Sequence, residues 1–282
     1  MTTLIVGCGY LGRRVARRLI GAGEPVIGTT RSAAWAASLA ALGVEPLVID
    51  VLDVSISQLP PFDRLVYCVG FDRSGEASMR SVYVDGLTRF LARIDRPLTK
   101  FVYASSTGVY GQDDGSWVSE DAPTEPRHES GRVCLDAEAV ARERGASVVR
   151  LAGLYGPGRI VRRAAILAGE PIIGDPDKVI NLIQIDDAAA VVVAALDRGE
   201  SGRITNVADD RPVSRRELYT LTASLLGAEP PVFLAPATDA APAREEANRR
   251  IANQRMKQEL GVVLAYPDVT TGLPASVAAE RG

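Results

Sequence analysis

A single histidine, His128, in a chain of 282 residues excludes a multi-histidine metal site. Cysteine is nearly as scarce: Cys8, Cys68 and Cys134 stand far apart without a Cys-x-x-Cys pair, so neither a disulfide framework nor a zinc site is expected. Nowhere do eighteen apolar residues run together, and the N-terminus enters a strand without the charged and apolar regions of a secretory signal. The expectation is a reduced, cytoplasmic, soluble protein with no membrane partner. Strong charge of either sign is also missing. A net charge of -3 argues against nucleic acid as a partner, and Arg13, Arg14, Arg17 and Arg18 read as a solvated helix face.

What is present is an ordinary balance, 46% hydrophobic and 24% charged, enough for a large core in one or two joined domains. Residues Thr3 to Leu19 break from an apolar run into Gly7, Gly9 and Gly12 and resume with helical spacing at Leu11, Val15 and Leu19. This is a strand, a tight turn and a helix. Gly7 would permit the turn, Gly9 the approach of a pyrophosphate, and Gly12 close packing of helix on strand. Free amides at the helix start, around Tyr10 and Leu11, would face the phosphates. The alternative is a structural glycine turn.

Further strands are expected at Glu24–Thr30, Val44–Ile49, Leu65–Val69 and Lys100–Ser106, with helices at Ser32–Leu42 (Trp35 and Leu39 on one side) and Val82–Ile94. This alternation predicts an α/β fold: a Rossmann-like doubly wound parallel sheet flanked by helices, with its crevice at the carboxyl ends of the strands. No acid lies between Pro25 and Ser32, where an NAD site places one to read the ribose. Arg31, followed by Ser32, could instead pair with a 2′-phosphate, so NADP is the expected cofactor and NAD the alternative; a merely solvated Arg31 competes with this reading. Asp50, with Val51 beside it, either accepts from an adenine amino group or caps a turn. Cys68, Val69 and Gly70 supply small residues under a cofactor, although Cys68 could simply pack.

The segment Tyr103-Ala-Ser-Ser-Thr-Gly-Val-Tyr-Gly111, with Arg150-Leu-Ala-Gly-Leu-Tyr-Gly-Pro-Gly158, Asn181-Leu-Ile-Gln-Ile-Asp-Asp187, Asn253 to Gly261 and Tyr266-Pro-Asp268, resembles the extended short-chain dehydrogenase/reductases, the NAD-dependent epimerase/dehydratase family. The likeness spans nearly the whole chain. It implies a Rossmann domain over 1–154 that also takes up about 180–200, with Leu154 against the cofactor. Residues 155–179 and 201–282 would form a smaller substrate lobe. In that family a Ser or Thr on the fifth strand polarises the substrate, and a Tyr with a Lys four residues later moves the proton. The first role maps to Ser106, with Thr107 beside it. The helix Ser130-Gly-Arg-Val-Cys-Leu-Asp-Ala-Glu138 puts Ser130 where Tyr belongs and Cys134 where Lys belongs, a pattern that resembles the atypical YeeZ-like subgroup.

Residues four apart share a helix face, so Ser130 and Cys134 are expected to enter the crevice together. An aliphatic hydroxyl is a far weaker acid than a phenol, whose reference value is about 10, and a neutral thiol offers no cation to change that. His128 could act as acid or base or be a surface histidine. Tyr110 and Tyr155 are expected to pack on the crevice walls. Arg159, Arg162 and Arg163 suit an anionic substrate or form an exposed basic helix. Asp186 and Asp187 read as an N-cap and first-turn acid before a helix at Ala188–Leu196. A strand at Arg203–Val207, a helix at Ser214–Leu226, a connection at Glu229–Ala243 and a charged helix at Arg244–Leu260 complete the chain. Two functions follow: an oxidoreductase or epimerase-like enzyme on a small polar substrate such as a nucleotide sugar, or a non-catalytic NAD(P)-binding or sensing module. A homodimer is common in related folds.

Overall fold

Short apolar strands separated by amphipathic helices wind in the computed structural model, which describes residues 1–53, 59–235 and 247–281, into a seven-stranded parallel sheet. In chain order the first half comprises β1 (Thr3–Val6), α1 (Gly12–Gly21), β2 (Val26–Thr30), α2 (Ala33–Ala40), β3 (Glu45–Val48), β4 (Arg64–Tyr67), a π-helical turn Ser81–Asp85 running into α3 (Gly86–Leu91), and β5 (Lys100–Ser106). There follow β6 (Trp117–Val118), α4 (Glu129–Glu143), β7 (Ser147–Leu151), β8 (Gly153–Tyr155), α5 (Arg163–Leu167), β9 (Ile172–Ile173), β10 (Val179–Ile180), β11 (Leu182–Gln184), α6 (Ile185–Arg198) and β12 (Ile204–Val207). The remainder holds β13 (Val213–Ser214), α7 (Arg215–Leu226), β14 (Phe233–Leu234), β15 (Arg250–Ile251) and two helices, Gln254–Leu260 and Val269–Ala278. The sheet order is β12-β7-β5-β4-β1-β2-β3, and the short strands pair β10 with β13, β11 with β8, β14 with β9 and β15 with β6.

Strands covered on both faces by helices carry continuous apolar runs, and the residues of β1, Thr-Leu-Ile-Val, are all buried. On one face α1 and α6 pack through Val15, Leu19, Ala189 and Val192; on the other α3 and α4 pack through Leu87, Phe90, Ala137 and Ala141 against Tyr67 and Tyr103. A fully buried side chain such as Leu19 contributes about 1.5–3 kcal/mol by leaving water. A third cluster, with Tyr155, Ile166, Tyr219 and Leu273, lies under the C-terminal helices. Strand order reverses between β1 and β4, so the connections leave on opposite sides and open a crevice at the strands' carboxyl ends. No helix among the described residues is long and apolar enough to cross a membrane.

Three local expectations need correction. Trp35 is 55% exposed, with Arg13 stacked over its ring at 5.2 Å, so only Leu39 turns inward from α2. The helix expected over 244–260 starts at Gln254, and Ile251 lies in a strand. The Asn181 amide donates to the Arg249 carbonyl at 2.9 Å and accepts from the Ile251 amide at 2.7 Å, acting as the strand partner that holds this stretch extended. Residues 244–246, like the 236–243 part of the expected connection, lie outside the described residues. Finally, Gln184 rather than an aspartate caps α6 through its side chain.

Candidate active site

The glycine turn sits at the β1/β4 reversal, and its glycines are required for different reasons. Gly7 has φ +86°, and a Cβ there would lie 2.7 Å from the Val69 backbone; one on Gly12 would meet the Gly7 carbonyl at 2.7 Å. Gly9 and Gly70 face open space. The Gly7 amide donates to Thr29 Oγ1 at 2.9 Å, and the Cys68 thiol donates to the Gly7 carbonyl at 3.2 Å, which pins the turn on both sides. Among the described residues, the amides of Tyr10, Leu11 and Gly12 donate to no protein acceptor. Free amides at a helix start beside an open glycine fit a diphosphate, with Gly7, Gly9, Leu11 and Gly12 as its cradle. Burial pushes the Cys8 thiol up to about 12 and raises that of Cys68 as well, so both are packing groups at neutral pH.

Around this cradle the predicted residues differ in what they touch. Arg31 is 60% exposed and pairs with Asp72 at 3.1 Å. Ser32 precedes α2 without capping it through its side chain, its amide donating to Thr30 Oγ1 at 3.2 Å. Asp50 accepts from the Leu52 amide at 2.9 Å, the turn-capping geometry. Val51 is buried against Gly86, Val69 backs Gly7, and Leu154 lies half-buried in β8 opposite Ile183. Tyr10 does more than pack: its hydroxyl donates to the Pro157 carbonyl at 3.1 Å, and its ring lies under Arg14 at 4.3 Å and Arg159 at 5.7 Å. It thereby ties the glycine turn to the 156–158 segment. Arg163 pairs with Glu280 at 2.8 Å, and Arg162 adopts φ 58°, the one non-glycine described residue with positive φ.

At the end of β5 the chain turns through Thr107–Val109. Ser106 Oγ accepts from the Gly108 amide at 3.1 Å, which leaves its own proton available to a substrate oxygen. Thr107 is buried. The start of α4 presses on this turn: a Cβ on Gly131 would lie 2.6 Å from the Gly108 carbonyl. Ser130 is exposed, and Cys134 is half-buried with its thiol pushed up to about 11 by desolvation and then by Glu138. A thiol in that state is protonated at neutral pH and supplies no charge. His128 stands at the N-cap of α4, its carbonyl accepting from the Gly131 amide at 3.1 Å and the Arg132 amide at 3.3 Å.

One turn beyond Cys134, Glu138 anchors a buried network that sequence reasoning missed. Ser105 Oγ donates to Glu138 at 2.5 Å, Arg150 grips Glu138 at 2.7 to 3.2 Å and donates to the Tyr110 hydroxyl at 2.9 Å, and Tyr110 donates to Asn206 Oδ1 at 2.8 Å. The cue was a lone acid at an inward helical position and a lone arginine in an otherwise apolar strand. Asp187 is likewise structural, accepting from the Ala265 and Tyr266 amides at 2.9 and 2.8 Å. Asp209 is different: no side chain donates to its buried carboxylate oxygens, and burial, offset only in part by the Arg211 backbone amide, pushes its carboxyl up to about 8. The Tyr155 hydroxyl is also buried without a partner, against Gly272. No group of three metal-ligating side chains occurs among the described residues.

The family model described as "NAD dependent epimerase/dehydratase family" matches residues 3–208. YeeZ of Escherichia coli K12 is 31% identical over 276 residues, covering 94% of this chain and 96% of its own. A conserved protein of unknown function from Silicibacter pomeroyi superposes with a TM-score of 0.79 at 31% identity, covering 100% of this chain and 99% of that one. DesIV, the dTDP-glucose 4,6-dehydratase of Streptomyces venezuelae, solved with NAD bound, superposes with a TM-score of 0.85 at 21% identity, covering 100% and 97%. At that identity the likeness is one of fold.

Proposed function

The chain belongs to the NAD dependent epimerase/dehydratase family, and from that premise we propose that it is an NADP-dependent oxidoreductase or epimerase-like enzyme acting on a small polar substrate such as a nucleotide sugar. The observation that carries this reading is the set of unpartnered amides at Tyr10, Leu11 and Gly12 beside the open Gly9. When bound, the coenzyme supplies or accepts hydride. Arg31 contributes the 2′-phosphate contact by exchanging Asp72 for the phosphate, and Asp50 and Val51 border the adenine. Ser32, Cys68, Val69, Gly70 and Leu154 form the remaining walls.

Ser106 donates its proton to the substrate oxygen while the Gly108 amide holds its lone pair in place. Thr107 fixes the turn. Ser130, at the exposed start of α4, relays the proton through water, because no phenol or ammonium occupies its helix face. Cys134 packs as a neutral thiol. Proton transfer without an acidified phenol is slow, so turnover is modest. The second reading, a binding or sensing module without efficient hydride transfer, is favoured by that same Ser130/Cys134 pair.

Hydride turnover by the wild type and Ser130→Ala over a panel of polar carbonyl substrates separates the two. An enzyme shows NADPH consumption that Ser130→Ala diminishes. Coenzyme binding with no consumption by either protein leaves the sensing module, and no coenzyme binding at all sinks both.

A further inference from the structure

Arg249, immediately before β15, is only 9% exposed, and among the described residues no carboxylate forms an ion pair with it. Its Nη2 donates to the Thr107 carbonyl at 2.9 Å and its Nη1 to the Gln112 carbonyl at 3.3 Å, while Nε is buried without an acceptor. The Tyr110 hydroxyl beside it is a neutral phenol already engaged by Arg150 and Asn206. Desolvation accordingly lowers its pKa. Beside it, Gln112 Nε2 donates to the Pro123 carbonyl at 3.1 Å, which fixes the amide's orientation and leaves Oε1 buried with no donor.

A buried guanidinium is ordinarily paired, since two neutral carbonyls do not replace the hydration it loses. The carbonyls that hold Arg249 belong to the segment following Ser106, so the unmatched charge stands at the carboxyl end of β5. We propose that Arg249 is a substrate-anchoring residue whose guanidinium receives a carboxylate or phosphate of the molecule bound beside Ser106 and Thr107. The ligand that suits both unsatisfied groups is an oxyanion with a neighbouring hydroxyl, the oxyanion on the Arg249 fork and the hydroxyl donating to Gln112 Oε1. Such a site rejects neutral analogues, which would leave the charge unmatched. This inference rests on the enzyme reading for the identity of the crevice.

The test is calorimetric titration of the full chain, saturated with NADPH, with pyrophosphate, malonate and glycerol at constant ionic strength. At least one anion binds saturably and glycerol does not; pyrophosphate identifies a phosphate source and malonate a carboxylate source. Arg249→Gln weakens that binding by ~10-fold or more, as loss of a charge-assisted hydrogen bond should, while Arg249→Lys stays within a few-fold and NADPH affinity holds in both. Wild type that binds neither anion, or Arg249→Gln that binds as tightly as wild type, overturns the proposal and leaves the coenzyme reading intact. If Arg249→Gln does not fold, the Arg249 Nε–H resonance of the wild type decides: a saturable shift with either anion supports the anchor, and an unmoved signal overturns it. Absence of NADPH binding sinks the enzyme reading, and the same titrations of the coenzyme-free chain still read Arg249.

Discussion

Two guanidinium groups are buried at the same end of the sheet, and they are treated in opposite ways. Arg150, 3% exposed, meets both oxygens of Glu138, which in turn accepts from Ser105. Arg249, 9% exposed, meets only carbonyls among the described residues. The first charge is matched within the chain and serves to clamp α4 to β5 and β7. The second is desolvated with no carboxylate to match it among the described residues, an arrangement that makes physical sense where a ligand brings the missing anion. A buried arginine is therefore not a single kind of structural statement; the partner decides whether it is a clamp or an open hand.

The sharpest way to break this contrast is to make Arg150 resemble Arg249. Glu138→Ala strands the Arg150 guanidinium and should cost about 3–5 kcal/mol in urea unfolding, the range expected when one partner of a buried pair is removed. A loss below ~1 kcal/mol would mean that the clamp is dispensable. Asp209 extends the comparison to an anion, since no side-chain donor meets its oxygens. Its carboxyl is raised from 3.8 to about 8 in the folded chain. Below the unfolded value both states are protonated and burial carries no charge penalty. As pH rises toward 8 the unfolded chain loses its proton first, so stability declines by at most about 1.4 kcal/mol per pH unit. Asp209→Asn removes that decline, and unfolding free energies at pH 4 to 8 should converge at the acid end and separate in the variant's favour at the alkaline end. Parallel curves would exclude a raised Asp209 carboxyl.

Arg249→Met should alter stability by about 1 kcal/mol or less, because two lost bonds to neutral carbonyls are offset by removal of a buried charge. A loss as large as that of Glu138→Ala would place Arg249 with the clamps. The smallest effect on stability, within about 0.5 kcal/mol, belongs to exposed Arg31. Arg31→Asp should nonetheless shift coenzyme preference from NADP toward NAD, and an unchanged ratio of dissociation constants removes the 2′-phosphate assignment.

The sheet was legible because its signals are local. Apolar runs of four to seven residues punctuated by glycine predict β1, β2, β4 and β5 to within two residues, and the Gly7-x-Gly9-x-x-Gly12 spacing predicts the turn between β1 and α1. Where two local patterns agree by accident, sequence reasoning fails. Ile251, Met256 and Leu260 are all buried, as expected of one apolar helix face, but Ile251 is buried as a strand residue held by Asn181 from far along the chain. Trp35 looked like core by hydrophobicity and lies outside, under Arg13.

The amino-acid order by itself determined the alternating α/β pattern, the glycine turn, and the presence of serine and cysteine four residues apart on α4, because each depends on residues within a turn or a strand of one another. Only the tertiary structure decided which charges are matched. Glu138 is 12 residues from Arg150 and 33 from Ser105, and Arg249 reaches Thr107 across 142 residues. Electrostatic pairing depends on distance in space and on burial, and neither quantity is written along the chain.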